Sequence, residues 1–384
     1  MLFYTFLIIV FIALSVLEYK MEEKKIKKVL LILIKATPFI ILFILNTFKA
    51  ENVGYDALAY HYWYDDLVNG IPPGGSYPSV EIGFKFVIEL FSKTKAPYLV
   101  FYAFMNLIVY GTTGYAIIKL SKNSALSALV YSCLSVMVLN FSALRQSLAL
   151  GIVFLSVVFL IKKKWWSYLV YGSLVIIAGL FHKSAFVFLI CLPLVFLKLK
   201  PFYLFYITPF IVLFFILTPA LFQSIYYLTG SMNYMPTYRE GVGEYYFIFY
   251  LIFVFFTLLT ENNQVTEWIF TKIETYKGKI YKKSSAISYE DYQPHADENS
   301  KTYLLMFLLG VLFQATSRVN YAAPRLATQF LMISSLFIPN ILGTIKYKKF
   351  KIILIGLVCL FFYLFFMYDS IIPNYLGVNP FQFL

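Results

Sequence analysis

The chain has 384 residues, of which 60% are hydrophobic and 13% are charged, and its mean hydropathy is +0.75. Soluble domains are about half apolar and about a quarter charged, so this composition excludes a soluble globular protein. The net charge of +13 does not indicate nucleic-acid binding, because the lysines lie in loops on one side of the apolar segments and mark membrane topology.

Apolar runs long enough to cross a hydrocarbon core of roughly 30 Å recur along the whole chain. They predict an all-α, polytopic transmembrane helix bundle that forms a single integral membrane domain over residues 1–384. The first run has no positive charge before it, so we interpret it as a transmembrane helix and not as a secretory signal. The predicted spans, about 12 in all, are 1–17, 29–48, 97–118, 124–142, 147–161, 167–181, 185–197, 202–222, 246–260, 302–317, 326–343 and 351–368.

The loops alternate between lysine-rich and lysine-poor. By the positive-inside rule the lysine-rich loops are cytoplasmic, and both termini are then external. The long cytoplasmic loop 261–301 has no hydrophobic periodicity, and we interpret it as a linker. The external segments long enough for chemistry are 49–96, 223–245 and the tail from Asp369.

The large external first loop, 49–96, is predicted to contain a helix at Val80 to Phe91. Its apolar residues Ile82, Phe86 and Leu90 recur every four positions. That spacing is typical of a helix lying in the membrane interface.

All four arginines of the chain fall on the predicted external side, where the orientation rule disfavours basic residues: Arg145, Arg239, Arg318 and Arg325. A charge at membrane depth costs about 2.5 to 3.5 kcal/mol on insertion scales. A guanidinium binds phosphate through two parallel hydrogen bonds and stays charged when partly desolvated, which favours an external diphosphate as the ligand. The alternative is that single arginines reach to lipid headgroups or pair with helix ends.

Arg318, Tyr321 and Arg325 would share one face of a continuous helix. Pro324 makes it more natural to end one span at Tyr321 and to begin the next near Arg325. Both arrangements predict that the charges converge on one pocket.

Several short motifs, in this order and spacing, resemble the EpsG family of Wzy-like exopolysaccharide polymerases. The motifs are Gly54-Tyr55-Asp56 with Tyr60 and Tyr64, Glu81-Ile82-Gly83-Phe84, Arg145-Gln146, Phe181-His182-Lys183-Ser184, and Ser317-Arg318 with Tyr321. The resemblance covers roughly residues 50 to 330.

The resemblance implies a fold related to the GT-C class of lipid-dependent glycosyltransferases, with neither a metal nor another cofactor required. It implies a polymerase in the bacterial inner membrane that joins undecaprenyl-diphosphate-linked oligosaccharides, donor to acceptor, on the outer face. A flippase and a chain-length regulator of the same pathway are candidate partners, alongside membrane lipid. A nucleotide-sugar synthase would need a cytoplasmic domain larger than the loop 261–301.

Transfer from a lipid diphosphate needs positive charge for the leaving group and a base for the attacking hydroxyl. We therefore predict that Arg145, Arg318 and Arg325 contact the diphosphate. Further predicted substrate-binding residues are Gln146, Arg239 and Tyr321. The predicted base for the acceptor hydroxyl is Asp56, Glu81 or His182, of which Asp56 and His182 are preferred.

Other chemistry-bearing residues receive plainer interpretations. The many external tyrosines are typical of an interfacial belt, with Tyr60 and Tyr64 as candidate platforms for sugar rings. His61 and Asp65 share a helix face, but two ligands make a poor metal site. The three cysteines lie within apolar spans and are expected to be packing residues.

Two other functions are alternatives. A lipid-linked oligosaccharide flippase would carry ionisable residues deep within its spans, whereas here Lys35 is almost alone. A glycan ligase would need nearly the same external site, and the sequence does not separate it from a polymerase.

Overall fold

The computed structural model describes residues 1–23, 27–197, 242–260, 298–316, 323–345 and 348–384, together with isolated helical positions between 210 and 227. The described residues form helices and turns, with one isolated β-bridge between Lys49 and Phe383. Within this part of the chain, six helices are long and apolar enough to cross a membrane. The all-α class is therefore confirmed, whereas the number of crossings and the likeness to the GT-C class stay predictions.

The helices, in chain order, are α1 Leu2–Glu23, α2 Lys28–Thr47, α3 Ala57–Val68, α4 Ile82–Ser92, α5 Tyr98–Leu120, α6 Ser124–Tyr131, α7 Met137–Ser142, α8 Leu144–Leu160, α9 Trp165–Phe181, α10 Cys191–Leu194, α11 Val242–Thr260, α12 Glu298–Thr316, α13 Ala323–Leu331, α14 Ser334–Thr344 and α15 Lys348–Phe366. Short 3-10 helices cover Tyr77–Ser79 and Lys183–Ile190, and π-helical turns cover Ser132–Val136 and Met367–Ile371.

The chain folds as two compact units, Met1–Leu192 with Val358–Leu384, and Pro193–Leu357. In the first unit, α8 packs against α5 and α9, and α2 packs against α1 and α5. Gly151 permits the close approach of α8 to α5, since a Cβ there would lie 2.6 Å from Thr112 Oγ1. In the second unit, α12 packs against α11, α13 and α14.

The first unit brings segments that were predicted to be external together at one end. The backbone N–H of Ala50 donates to Gln382 O at 2.8 Å, and Gly54 N–H donates to Gly377 O at 2.9 Å. Phe3 stacks on Phe381 with 4.3 Å between ring centroids. The start of α1, the segment after α2 and the C-terminal tail thus lie on the same side of this unit, as the alternation of spans predicts.

A helix is present in the predicted part of the first loop as α4, and its place in the membrane interface stays a prediction. Ile82, Phe86 and Leu90 are 71%, 66% and 51% exposed, whereas Phe84 and Ile88 are fully buried. An exposed apolar stripe opposite a buried one is the pattern expected of a helix that lies on a membrane surface.

Two predicted spans differ from regular helices. The run 124–142 is interrupted at Ser135, which has φ of 65°, a region that non-glycine residues seldom occupy. The Ser135 hydroxyl bonds to the Asp369 carboxylate and to Ser370 Oγ, which stabilises this break. The run 185–197 forms a 3-10 helix followed by the four-residue α10, so it was wrong to expect one continuous helix there.

Other predicted segments lie largely outside the described residues: the span 202–222 and the loops 223–245 and 261–301.

Candidate active site

A carboxylate, a guanidinium and an imidazole meet where α4, α8 and α9 come together. Glu81 Oε2 lies 2.5 Å from Arg145 Nη1, and Glu81 Oε1 lies 3.3 Å from His182 Nδ1. The backbone N–H of Lys183 points to the same Oε1 at 3.4 Å. We call Glu81, Arg145 and His182 the Glu81 cluster.

Three helix ends position these side chains. Glu81 directly precedes α4, Arg145 is in the first turn of α8, and His182 directly follows α9. Lys183 is the first residue of the 3-10 helix Lys183–Ile190, and the first N–H groups of a helix have no partner within it, so the N–H of Lys183 is available to the carboxylate. Gly83 permits α4 to approach α9, because a Cβ at this position would lie 2.8 Å from Leu180 O.

The Glu81 carboxylate is held in its ionised form. Burial by itself would raise the pKa of Glu81, but backbone hydrogen bonds and the charges of Arg145 and His182 outweigh this effect and lower it below its usual value. The side chain is 9% exposed. A lowered pKa makes Glu81 a poorer base than an ordinary glutamate, and its two oxygens instead contact the guanidinium and the imidazole.

Arg145 is partly desolvated and not fully satisfied. Its side chain is 23% exposed, and its Nε is buried with no hydrogen-bond partner among the described residues. An unpaired buried donor costs about 1 to 3 kcal/mol. An anionic oxygen brought by a ligand would satisfy it.

Tyr60 of α3 neighbours Arg145, and Asp56 directly precedes α3. Tyr60 is 3% exposed, and burial raises the pKa of its phenol, an effect that the neighbouring Arg145 opposes. Asp56 is an exposed residue just before α3, and its backbone N–H donates to Ser142 Oγ at 3.3 Å. Gly54, with φ of 95°, brings this segment against Phe141, whose carbonyl oxygen would lie 2.3 Å from a Cβ.

The structure places other predicted site residues away from an open surface. Gln146 is 4% exposed beside Arg145. Tyr64 is 1% exposed, its ring stacks on Phe101, and its hydroxyl donates to Ala96 O at 2.7 Å. Tyr60 and Tyr64 are 3% and 1% exposed, and their role as platforms for sugar rings stays a prediction.

The positions of the remaining arginines do not test the prediction that the charges converge on one pocket. Arg325 is an exposed residue near the start of α13, in the second unit. Arg239, Arg318 and Tyr321 lie outside the described residues. The assignment of all four residues to substrate or catalysis stays a prediction.

The pairing of Glu81 with Arg145 was not predicted from the sequence, where the two residues were expected to have separate roles. The signal was available in the chemistry: a carboxylate and a guanidinium near helix ends are buried only when each is paired.

No group of three or more His, Cys, Asp or Glu side chains suits a metal ion within the described residues. His61 lies between Glu51 and Asp65 as an imidazole with two carboxylate neighbours. Cys133, Cys191 and Cys359 are free and buried, as expected of packing residues.

The EpsG family model matches residues 32–383, which is most of the chain. No curated protein and no solved structure shows a significant match.

Proposed function

Because the chain belongs to the EpsG family, a family of Wzy-like polysaccharide polymerases, we propose that it joins undecaprenyl-diphosphate-linked oligosaccharide repeat units on the outer face of the bacterial inner membrane. The observation that supports this most is the Glu81 cluster, which combines a diphosphate-binding group and an oriented base at one end of the helix bundle.

In this proposal the acceptor hydroxyl attacks the anomeric carbon of the donor sugar. The new glycosidic C–O bond forms as the bond to the diphosphate oxygen breaks, and the lipid diphosphate leaves with the electron pair. Arg145 stabilises the negative charge that develops on the diphosphate. Arg318, Arg325 and Arg239 are further candidates for this contact.

His182 is the favoured base. Its Nδ1 lies 3.3 Å from a Glu81 carboxylate oxygen, and we propose that the imidazole proton sits on Nδ1 and that Nε2 accepts the proton of the hydroxyl. Asp56 is the second candidate, because it is exposed and lies near Tyr60 at the edge of the cluster.

The charges described in the spans do not favour a flippase. Lys35 lies 2.7 Å from Glu22 and 3.7 Å from Glu18, so this intramembrane cation is neutralised locally. A transport pathway would require ionisable groups that face a water-filled route. A ligase would use the same cluster and differ only in its acceptor.

The test incubates the purified full-length protein with lipid-diphosphate-linked repeat units and separates the products by size. A polymerase gives a ladder, a ligase gives a single adduct, and a transporter gives no new glycosidic bond. The ladder should disappear in His182→Gln and persist at a reduced rate in Asp56→Asn. A full ladder from His182→Gln would overturn the role of His182, and the absence of any new bond with the wild type would overturn the function.

A further inference from the structure

A second polar site lies on the other side of α3. A cavity of about 250 Å³ opens between the segment after α2, α3 and the start of α5. Its wall combines aromatic rings with groups that donate and accept hydrogen bonds, namely Thr47, Lys49, Glu51, His61, Tyr98 and Tyr102. None of these residues belongs to the Glu81 cluster.

Lys49 is the least expected member of this wall. It is 4% exposed, its Nζ donates to Val53 O at 2.7 Å, and the same atom lies 5.4 Å from the centre of the Tyr102 ring. Burial lowers the pKa of Lys49 to about 8, although the charge of Glu51 opposes this shift. Burying an ammonium group is costly, and one carbonyl satisfies only one of its three donors.

His61 gives the cavity a rigid polar edge. Its Nδ1 lies 3.0 Å from Glu51 Oε1, and its Nε2 lies 3.4 Å from Asp65 Oδ2. Its ring stacks on Tyr98 with 4.2 Å between centroids and 15° between planes. The imidazole is thus fixed by two carboxylates and by an aromatic ring.

This combination suits a sugar ring. Aromatic side chains pack against the C–H faces of a sugar, while ammonium, imidazole, hydroxyl and carboxylate groups bond to its hydroxyls. The volume is below the roughly 300 to 1,000 Å³ of pockets for drug-sized ligands, which favours a single ring. The two charged side chains that line the cavity besides His61 are Lys49 and Glu51, whose opposite charges give no preference for an anionic sugar.

The cavity also lies close to the Glu81 cluster. Tyr60 and His61 are consecutive residues of α3, yet Tyr60 neighbours Arg145 whereas His61 lines the cavity. One helix, α3, therefore contributes a side chain to each of the two sites.

We propose that the cavity formed by Lys49, Glu51, His61 and Tyr98 binds one neutral, hexose-sized sugar residue. Its use as the subsite for the acceptor glycan rests on the proposed polymerase function, whereas sugar binding itself does not.

The test is saturation-transfer difference NMR on the purified full-length protein in detergent. The probes are the methyl β-glycosides of glucose, galactose and N-acetylglucosamine, with methyl β-glucuronide as the anionic comparator. At least one neutral glycoside should receive saturation, and the glucuronide should receive less. Absence of signal from all three neutral probes, or a stronger signal from the glucuronide, would overturn the proposal.

Two variants locate the binding. Lys49→Met keeps the aliphatic stem and should weaken binding about ten-fold, the equivalent of one lost charged hydrogen bond. Lys93→Met changes an exposed lysine of the same predicted loop and is the matched control. Equal binding by Lys49→Met and wild type would place the sugar elsewhere and contradict the proposal.

A third variant serves if Lys49→Met fails to fold. The Glu51 side chain is 48% exposed, so Glu51→Gln should fold normally, and it should weaken sugar binding by removing a charged acceptor. Wild-type binding by Glu51→Gln would also contradict the proposal.

These measurements are independent of turnover. A protein that binds neutral glycosides but makes no ladder would retain the sugar site and lose the polymerase function. A protein that makes a ladder but binds no neutral glycoside would lose only the sugar site.

Discussion

Two buried glutamates, one near each end of the first unit, show how the same residue type is put to different uses. Glu18 is fully buried and accepts hydrogen bonds from the backbone N–H groups of Ser124 and Ala125, at 2.9 and 3.0 Å. These are the first residues of α6, so the carboxylate satisfies donors that a helix start leaves open. Lys35 lies 3.7 Å away, and the Glu18 side chain is 0% exposed among the described residues.

Glu81 has similar partners in a more open setting. It also binds a backbone N–H and a basic side chain, but its neighbours are a guanidinium that is 23% exposed and an imidazole that is 14% exposed. Within the part of the chain that the structure describes, the Nε of Arg145 also has no hydrogen-bond partner. We infer that Glu18 joins helices, whereas Glu81 prepares two side chains for a substrate.

The largest expected effect is on catalysis at the Glu81 cluster. Arg145→Lys keeps the charge but loses the planar fork, so polymer formation should fall by about a hundred-fold or more. The rate of ladder formation by equal amounts of membrane-inserted protein measures it. Near-normal rates would show that Arg145, like Glu18, has a structural role and not a catalytic one.

The next largest effect is on stability and concerns Glu18, near the other end of the first unit. Glu18→Gln replaces one acceptor oxygen by a donor that faces a backbone N–H, which should lower the free energy of unfolding by about 2 kcal/mol. Thermal unfolding in detergent measures this loss, and Glu22→Gln, on a side chain that is 37% exposed, is the control with a change of about 0.5 kcal/mol or less. Turnover per folded molecule should stay at the wild-type level, and a selective loss of turnover would contradict a purely structural role.

A smaller effect is expected where α4 meets α9. Gly83→Ala introduces a Cβ 2.8 Å from Leu180 O, which should displace Glu81 from His182 and lower the polymerisation rate by about ten-fold, since small misplacements of catalytic groups are costly. Gly74→Ala is the matched control, because nothing lies within 4 Å of its Cβ. If both variants polymerise alike, the close approach of α4 to α9 does not position the cluster.

The smallest effect is a pH dependence of stability. The pKa of Glu81 is lower in the folded protein than in the unfolded chain, so its contribution to stability is present above about pH 4.3 and is lost as the pH falls through the folded-state pKa. The difference in melting temperature between wild type and Glu81→Gln should therefore shrink as the pH falls below about 4.3. A difference that does not shrink in this acidic range would show that the pKa is not lowered.

The sequence predicts the helices well because apolar runs must bury their backbone hydrogen bonds within helices. The run 29–48 became α2 at Lys28–Thr47, and the run 97–118 became α5 at Tyr98–Leu120. The break at Ser135 escaped prediction because serine does not favour the left-handed region, and its stabilising partner Asp369 is distant in the sequence.

The residues of the site could be predicted from the sequence, but the contacts between their side chains could not. Short motifs pointed to Glu81, Arg145 and His182, yet which side chains meet depends on how α4, α8 and α9 pack. The burial of Lys49 was equally hidden, because in the sequence it is one more lysine beside a span. Hydropathy indicates which segments are buried, but it does not indicate which charged side chains are buried with them.

The location of the Glu81 cluster is tested most directly by labelling single cysteines in intact cells with a membrane-impermeant maleimide. Ser76→Cys lies in the same first loop as Glu81, Lys122→Cys lies beside the start of α6 near Glu18, and both positions are exposed. The native cysteines are at most 5% exposed and should give little background. We expect position 76 to be labelled in intact cells and position 122 only after permeabilisation; the reverse result would place the Glu81 cluster on the cytoplasmic face and contradict the account.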